Sequence, residues 1–326
     1  MSVGSVIITN YNGKKYLAEC IDSLYRNSFN DFEIIIVDNG SGDGSVDFLR
    51  SNYSQVKVIA LDQNVGLAIA SNKGRKAASG KYLFFYNNDT VADVNLLLEL
   101  VKTMEADDSI GICGCKTLTY DGKRKTNCGV PLDIFGYPYG PDKSFYVDAA
   151  IFIRAQVFDE IGGFDSKLFL YCEDRDICWR CWLYGYKVVA QDSAIFRHDS
   201  FCAVDEDGKL KTNIRKRFMG EAFTIRMLLK NYSIWALMVI FPVYMVINCA
   251  EIMVFLLKGR IDIVLGAYIK AYRWNFSNLL ETLKLRKKVQ SERRVSDIDI
   301  IKKMYLGSGK LKLFREVGVP RFGKGS

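Results

Sequence analysis

Asp89 follows an apolar run and is preceded by Asn87 and Asn88. A carboxylate at a strand end, among amide oxygens, suits a hard divalent cation such as Mg2+ or Mn2+, which keeps positions open for phosphate oxygens. The same three residues also make an ordinary turn. Asp38 ends the apolar run 34–37, where its carboxylate could accept the imide N–H of a uracil or thymine ring. The stretch Asp38-Asn39-Gly40-Ser41-Gly42-Asp43 is equally rich in turn formers. Glu173 and Asp174 stand at the start of a helical segment, where the helix dipole is positive, and one of them could act as general base on a sugar hydroxyl. Acidic first turns are also common caps. His198, the single histidine of the chain, could complete the metal site begun by Asp89.

Two competing chemistries are weaker. Cys178-x-x-Cys181 with His198-x-x-x-Cys202 has spacings compatible with zinc, but Cys178 and Cys181 fall in a helical segment beside Trp179 and Trp182, where cysteine usually packs as a small apolar residue. The glycines at 40, 42 and 44 do not fit the G-x-G-x-x-G dinucleotide fingerprint, which disfavours a nicotinamide cofactor.

The elements that must position these residues are legible over the first 115 positions. Apolar runs at 5–9, 33–37, 57–61, 82–86 and 110–113 alternate with helix-period segments at 14–26, 46–51, 67–78 and 94–105, with Ser45 as a candidate N-cap. That alternation predicts an α/β fold, a mostly parallel sheet flanked by helices. Ligands of open sheets sit beyond the carboxyl ends of strands, and here those ends read Thr9-Asn10-Tyr11-Asn12-Gly13, Asp38-Asn39-Gly40 and Asn87-Asn88-Asp89. Residues 116–147 show no period and read as loops and short strands near an opening. Order returns with 148–154, a helix over 155–161, the turn Gly162-Gly163, and a helix from Glu173 to near Gly185.

With 326 residues, 49% hydrophobic and 25% charged, the chain can bury a sizeable core and is not a disordered segment. Its net charge of +8 is uneven: residues 258–326 hold 17 Lys or Arg against 6 Asp or Glu, whereas the first 257 carry 28 against 31. Nine cysteines without a regular framework fit a reducing compartment. The first eight residues lack the basic and apolar regions of a signal peptide, so the N-terminal part is expected in the cytosol.

Residues 234–257 are interrupted only by Pro242, Asn248 and Glu251, a length that could cross a bilayer. A single crossing would carry the basic tail to the outer face and place Glu251 in hydrocarbon. The preferred expectation is a helix, or a kinked pair, lying in the interface, followed by an amphipathic stretch over 261–276. A true span and a buried core helix are the alternatives. The chain is accordingly divided into a domain at 1–230 and a C-terminal helical membrane-associated region at 231–326.

Together these motifs resemble the family 2 glycosyltransferases of the GT-A fold, in particular the branch containing rhamnosyltransferases. The resemblance spans about residues 3–230. It rests on Val6-Ile7-Ile8-Thr9-Asn10-Tyr11-Asn12-Gly13, Val37-Asp38-Asn39-Gly40-Ser41, Asn64-Val65-Gly66 with Asn72-Lys73-Gly74, Asn87-Asn88-Asp89, and Gly162-Gly163-Phe164-Asp165 with Glu173-Asp174. It implies a Rossmann-like GT-A sheet and a donor site of Thr9, Asn10, Asp38, Asn64, Asn72 and Asn88. It further implies Mg2+ or Mn2+ on Asp89, with His198 as a further metal ligand, and Asp174 as the base. The D-x-D motif of the wider family reads Asn87-Asn88-Asp89 here.

The expected activity is metal-dependent, inverting transfer of a sugar, rhamnose favoured, from dTDP or UDP to a lipid-linked saccharide at the cytoplasmic face of the cell membrane. The expected partners are a nucleoside diphosphate sugar, that acceptor and the membrane surface, with no nucleic acid. The rival readings are a non-catalytic membrane-bound nucleotide-sugar-binding protein of the same fold and a nucleotidyltransferase. The latter would need a basic, glycine-rich phosphate loop, which Asn10-Tyr11-Asn12-Gly13 does not supply. The identity of the sugar and acceptor is assigned to the loops at 116–147 and 199–215.

Overall fold

The computed structural model describes residues 2–123, 129–140, 144–199, 211–318 and 320–323. They form two compact units, Met1–Val130 with Ser144–Ser200, and Pro131–Lys143 with Phe201–Ser326.

The first unit runs β1 (Gly4–Asn10), α1 (Lys14–Tyr25), β2 (Phe32–Asp38), α2 (Ser45–Asn52), β3 (Lys57–Ala60), α3 (Leu67–Ala77), β4 (Tyr82–Asn87), β5 (Thr90–Ala92), α4 (Leu96–Ala106) and β6 (Ile110–Thr119). It continues with β7 (Ala150–Arg154), α5 (Ala155–Glu160), α6 (Glu173–Leu183) and β8 (Lys187–His198). All eight strands join one sheet in the order β3-β2-β1-β4-β7-β6-β8-β5. The apolar runs of β1, β2 and β4 are buried almost throughout, as expected of strands covered by helices on both faces. Ile8, Ile36 and Phe84 share a core with Leu17, Ile21 and Leu24 of α1 and Leu97 and Leu100 of α4.

The parallel half is the one read from sequence: β3, β2, β1 and β4 pair in parallel, with Asn10 opposite Asp38 and Thr9 opposite Asn87. The other half is mixed. β7 runs antiparallel between β4 and β6, and β5 runs antiparallel to β8. Parallel neighbours need a long crossover, usually a helix, and the described residues between β6 and β7 contain none. The stretch 116–147 also divides: 116–119 extend β6, residues 131–140 belong to the second unit, and 124–128 and 141–143 lie outside the described residues.

Ser45 is not an N-cap. Gly44, with φ 78°, precedes α2, and Ser45 is its first helical residue. The Asp43 carboxylate takes the capping role, accepting from the Ser45 amide at 3.0 Å and from the Lys14 amide at 2.9 Å. Helix α6 is fixed by a buried ion pair. Arg180 Nη2 lies 2.8 Å from Asp176 Oδ2, and Arg180 Nη1 donates to the Ile161 carbonyl at 2.6 Å, tying α6 to the turn after α5.

The second unit contains β9 (Lys211–Thr212), α7 (Ile214–Asn231), α8 (Ile234–Leu257), α9 (Ile261–Ile263), a π-helix (Val264–Ile269), α10 (Lys270–Ser277), α11 (Leu279–Glu292), α12 (Asp297–Ile301), α13 (Gly309–Val317) and β10 (Arg321–Phe322). Helix α7, placed by the sequence before a boundary at 230, belongs to this unit because α8, the π-helix, α10 and α11 pack around it. Burial of ionic groups is extensive here. Arg217 pairs with Glu221 at 3.2 Å and also with Glu251, while Lys310 Nζ reaches Glu221 at 2.5 Å and Glu251 at 3.3 Å. Burial alone would raise the Glu221 carboxyl, but Lys310 and Arg217 outweigh it and hold it down at about 2. The basic tail is therefore partly internal: Arg286 also donates to the Tyr232 carbonyl at 2.7 Å, closing the C-terminal end of α7.

Replacing Arg180 by Ala removes the cation from the buried Asp176, so the variant is expected to lose about 3 kcal/mol or more of unfolding free energy. Denaturant unfolding checks this; a loss below about 1 kcal/mol would mean that the pair does not hold α6 in place.

Candidate active site

The carboxyl ends of β2, β1 and β4 are joined by a chain of amide and carboxylate hydrogen bonds. Asn10 Nδ2 donates to Asp38 Oδ2 at 2.8 Å, and Asn88 Nδ2 donates to Asn10 Oδ1 at 2.7 Å. Ser41 closes the loop, its amide donating to Asp38 Oδ1 at 2.9 Å while its Oγ accepts from the Asn12 amide at 2.9 Å. Asn10 and Asp38 are buried. Gly13 makes this possible, because a Cβ there would stand 2.0 Å from Asn88 Nδ2 and 2.7 Å from Asn10 Oδ1. Beside it, Asn39 Nδ2 donates to Asn64 Oδ1 at 3.0 Å, and Asn64 Oδ1 also accepts from the Gly66 amide at 3.0 Å, setting the entry to α3.

A cavity of about 530 Å3 opens beyond these strand ends, lined by Thr9, Asn64, Asn88, Asp89, Asp174 and His198 among others. Asn10, Asp38 and Asn72 do not line it and serve as its frame. Asn72 grips the chain after α5 from both sides: Nδ2 donates to the Phe164 carbonyl at 2.8 Å and Oδ1 accepts from the Phe164 amide at 3.0 Å. The turn before Phe164 needs Gly163, which has φ 66° and where a Cβ would stand 2.9 Å from Asn72 Oδ1.

Asp89 and His198 are 109 positions apart in sequence and adjacent in space. Pairing of β5 with β8 sets Thr90 opposite His198, so the residue before β5 meets the last residue of β8. His198 Nε2 lies 3.2 Å from Asp89 Oδ1 and 3.3 Å from the Asn87 amide nitrogen. Two adjacent ligands of an octahedral ion with bonds near 2.1 Å stand about 3 Å apart, so the pair fits a hard divalent cation. Among the described residues no three His, Cys, Asp or Glu side chains cluster as a metal site. Cys178 and Cys181 are buried, and burial pushes both thiols up, so they pack rather than ligate. Cys202 lies outside the described residues.

Glu173 and Asp174 occupy the first turn of α6. Burial raises both carboxyls, Asp174 to about 6 and Glu173 to about 8, with the Asp174 charge pushing Glu173 further up. Asp174 Oδ1 accepts from the Arg175 amide at 2.7 Å, whereas Glu173 Oε2 is buried with no hydrogen-bond partner among the described residues. The backbone leading into them is strained, with Tyr171 and Cys172 both at φ 68°.

Sequence reasoning overlooked Asp148, Tyr171 and Asn39, all of which line the cavity. Asp148 precedes β7, and its carboxyl is raised by burial, opposed by His198. An acidic residue directly before an apolar run was the available signal.

Residues 5–162 match the sequence profile of the family described as Glycosyl transferase family 2. A putative teichuronic acid biosynthesis glycosyltransferase of Bacillus subtilis, TuaG, is 31% identical over 149 residues, covering 44% of this chain and 56% of that protein. The chain spans less than two thirds of the length of the curated relatives it matches. Among solved structures, S. aureus TarS 1–349 in complex with UDP-GlcNAc superposes with a TM-score of 0.54 at 17% identity, over 71% of this chain and 67% of that one. The mannosyltransferase PcManGT from Pyrobaculum calidifontis, in complex with GDP-Man and Mn2+, gives 0.52 at 14% identity, over 89% and 86%. The fold is thus a GT-A-like α/β sheet flanked by helices. Over residues 5–162 the chain is similar to the family 2 glycosyltransferases.

A methyl group at Gly13 would force Asn88 away from Asn10. Gly13→Ala is expected to lower unfolding free energy by about 1–3 kcal/mol through this overpacking, read by thermal or denaturant unfolding; an unchanged midpoint would show that the strand-end amide chain does not depend on Gly13.

Proposed function

We propose that the protein is an inverting glycosyltransferase that moves a sugar from a nucleoside diphosphate to an acceptor hydroxyl, with Asp174 as base. The observation that carries this reading is the shared cavity of Asp89, His198 and Asp174 at the strand ends of a family 2 domain. The acceptor hydroxyl gives its proton to the Asp174 carboxylate as its oxygen attacks the anomeric carbon. The bond to the diphosphate oxygen breaks on the opposite face, so the configuration inverts. Thr9, Asn64 and Asn88 line the donor side, while Asn10, Asp38 and Asn72 hold the loops that bear them. Mg2+ or Mn2+, held by Asp89 and His198, would supply positive charge to the diphosphate leaving group.

The donor is a dTDP- or UDP-sugar, with rhamnose favoured only by the resemblance to the rhamnosyltransferase branch, and the acceptor is a lipid-linked saccharide at the cytoplasmic face of the cell membrane. The UDP-GlcNAc complex of TarS and the GDP-Man and Mn2+ complex of PcManGT support a nucleotide-sugar donor and a divalent ion. The named role of TuaG in teichuronic acid biosynthesis supports glycan assembly.

A panel of dTDP-, UDP- and GDP-sugars with Mn2+, Mg2+ or EDTA and a membrane lipid extract tests the reading. Metal-dependent release of one nucleoside diphosphate is expected, whereas donor binding with no turnover under every condition would favour a non-catalytic nucleotide-sugar-binding protein. Asp174→Asn should slow transfer by roughly 10²–10⁴-fold with donor affinity preserved, and near-normal turnover would refute the base. Because Asp174 must be ionised and its carboxyl is raised to about 6, the wild-type rate should fall as pH drops below that value; a rate that is flat from pH 5 to 8 would count against Asp174. Asp89→Ala and His198→Ala should each weaken Mn2+ binding measured by electron paramagnetic resonance, with or without donor.

A further inference from the structure

Helix α8 is built inside out for a helix in water. Leu237, Ile240, Tyr244, Ile247, Asn248 and Phe255 form one buried stripe along its length, and its polar groups lie on or beside that stripe. Tyr244 and Asn248 donate to the buried Glu221 carboxylate at 2.9 and 3.2 Å, and Glu251 takes Lys310 and Arg217. The opposite face is apolar from end to end, with Trp235, Met238, Val239, Val246 and Leu257 between 63% and 81% exposed. An ordinary surface helix carries its charges on that outer face. A helix that turns its ionisable group inward and its apolar side outward matches the rule for helices in contact with lipid.

After a turn at 258–260 the chain passes through α9 into the π-helix and α10, which with Phe218 of α7 line an open groove of about 590 Å3. Its wall is Phe218, Leu265, Ile269 and Trp274, and its charged groups are Lys270 and Arg273, three residues apart on α10. Six-residue π-helical stretches are uncommon and concentrate at functional sites. Phe276 and Leu280 nearby are 81% and 78% exposed. An apolar trough with two cations is complementary to an anionic amphiphile.

We propose that the outer face of α8 and the groove beside the π-helix form an in-plane docking surface for an anionic phospholipid leaflet, the groove seating an acyl chain and Lys270 and Arg273 meeting headgroup phosphates. This rests on the lipid-acceptor reading and supplies its place of contact. Helix α8 does not cross the bilayer, because a crossing would draw Arg217, Glu221 and Lys310 into hydrocarbon with Glu251 or break the pairs among them.

The test uses the full chain with phosphatidylcholine vesicles and with phosphatidylcholine–phosphatidylglycerol vesicles. Sedimentation should show binding that is tighter on the anionic vesicles. The pair Lys270→Gln and Arg273→Gln should weaken that anionic preference by about thirtyfold, and Val239→Glu with Leu257→Glu should abolish binding to either vesicle. In sealed membranes from expressing cells, an impermeant reagent should label tags at both chain ends from the same side. Equal affinity for both vesicles, wild-type binding by either double variant, or tags on opposite sides would overturn the proposal. Release of nucleoside diphosphate from donor without vesicles is measured in parallel: its absence alongside intact vesicle binding defeats the transfer reading and leaves the docking surface standing.

Discussion

The Asn10 amide is the junction on which the rest of the site depends. It sits buried at the end of β1, bonded to Asp38 on one side and to Asn88 on the other. Buried polar groups are costly when a partner is lost, and each member of this chain is satisfied by the next, so three strand-end loops are held as one body. The arrangement gives the recurring Asn and Asp at these strand ends a structural task that precedes any ligand. Thr9, Asn88 and Asp89 reach the cavity because Asn10 and Asp38 stay behind it.

The remaining carboxyl and imidazole groups of the cavity come from the opposite half of the sheet. The β5–β8 pairing carries His198 to Asp89, and α6 delivers Glu173 and Asp174 from a strained turn. That helix is anchored through Arg180 to the chain after α5, and Asn72 clamps Phe164 just beyond it. Burial raises both adjacent carboxyls, Glu173 and Asp174, and the charge of Asp174 pushes Glu173 further up in the same cavity.

The second unit uses charge differently. Arg217, Glu221, Glu251 and Lys310 are drawn together among helices, and the surface that remains on α8 is apolar. Such a network is expensive to desolvate and is retained only when its members satisfy one another. Its effect here is to draw Glu251, the one carboxylate of α8, away from the outer face.

Periodicity and turn chemistry in the sequence determined the parallel half of the sheet, because a buried strand and the helix after it are local patterns, and strand β1 through strand β4 fell where the apolar runs placed them. That Thr9, Asn88 and Asp89 line the cavity was also legible, since residues after strand ends face the ligand side of such a sheet. Local pattern was silent on the antiparallel insertion of β7, on Asp148, and on the retreat of Asn10, Asp38 and Asn72 from the cavity surface. It equally missed that α7 packs with the C-terminal helices and that Glu251 has two cations waiting for it. These were decided by contacts between residues far apart in the chain, whose free energy depends on which side chains meet and are desolvated together, a quantity that no window of neighbouring residues contains.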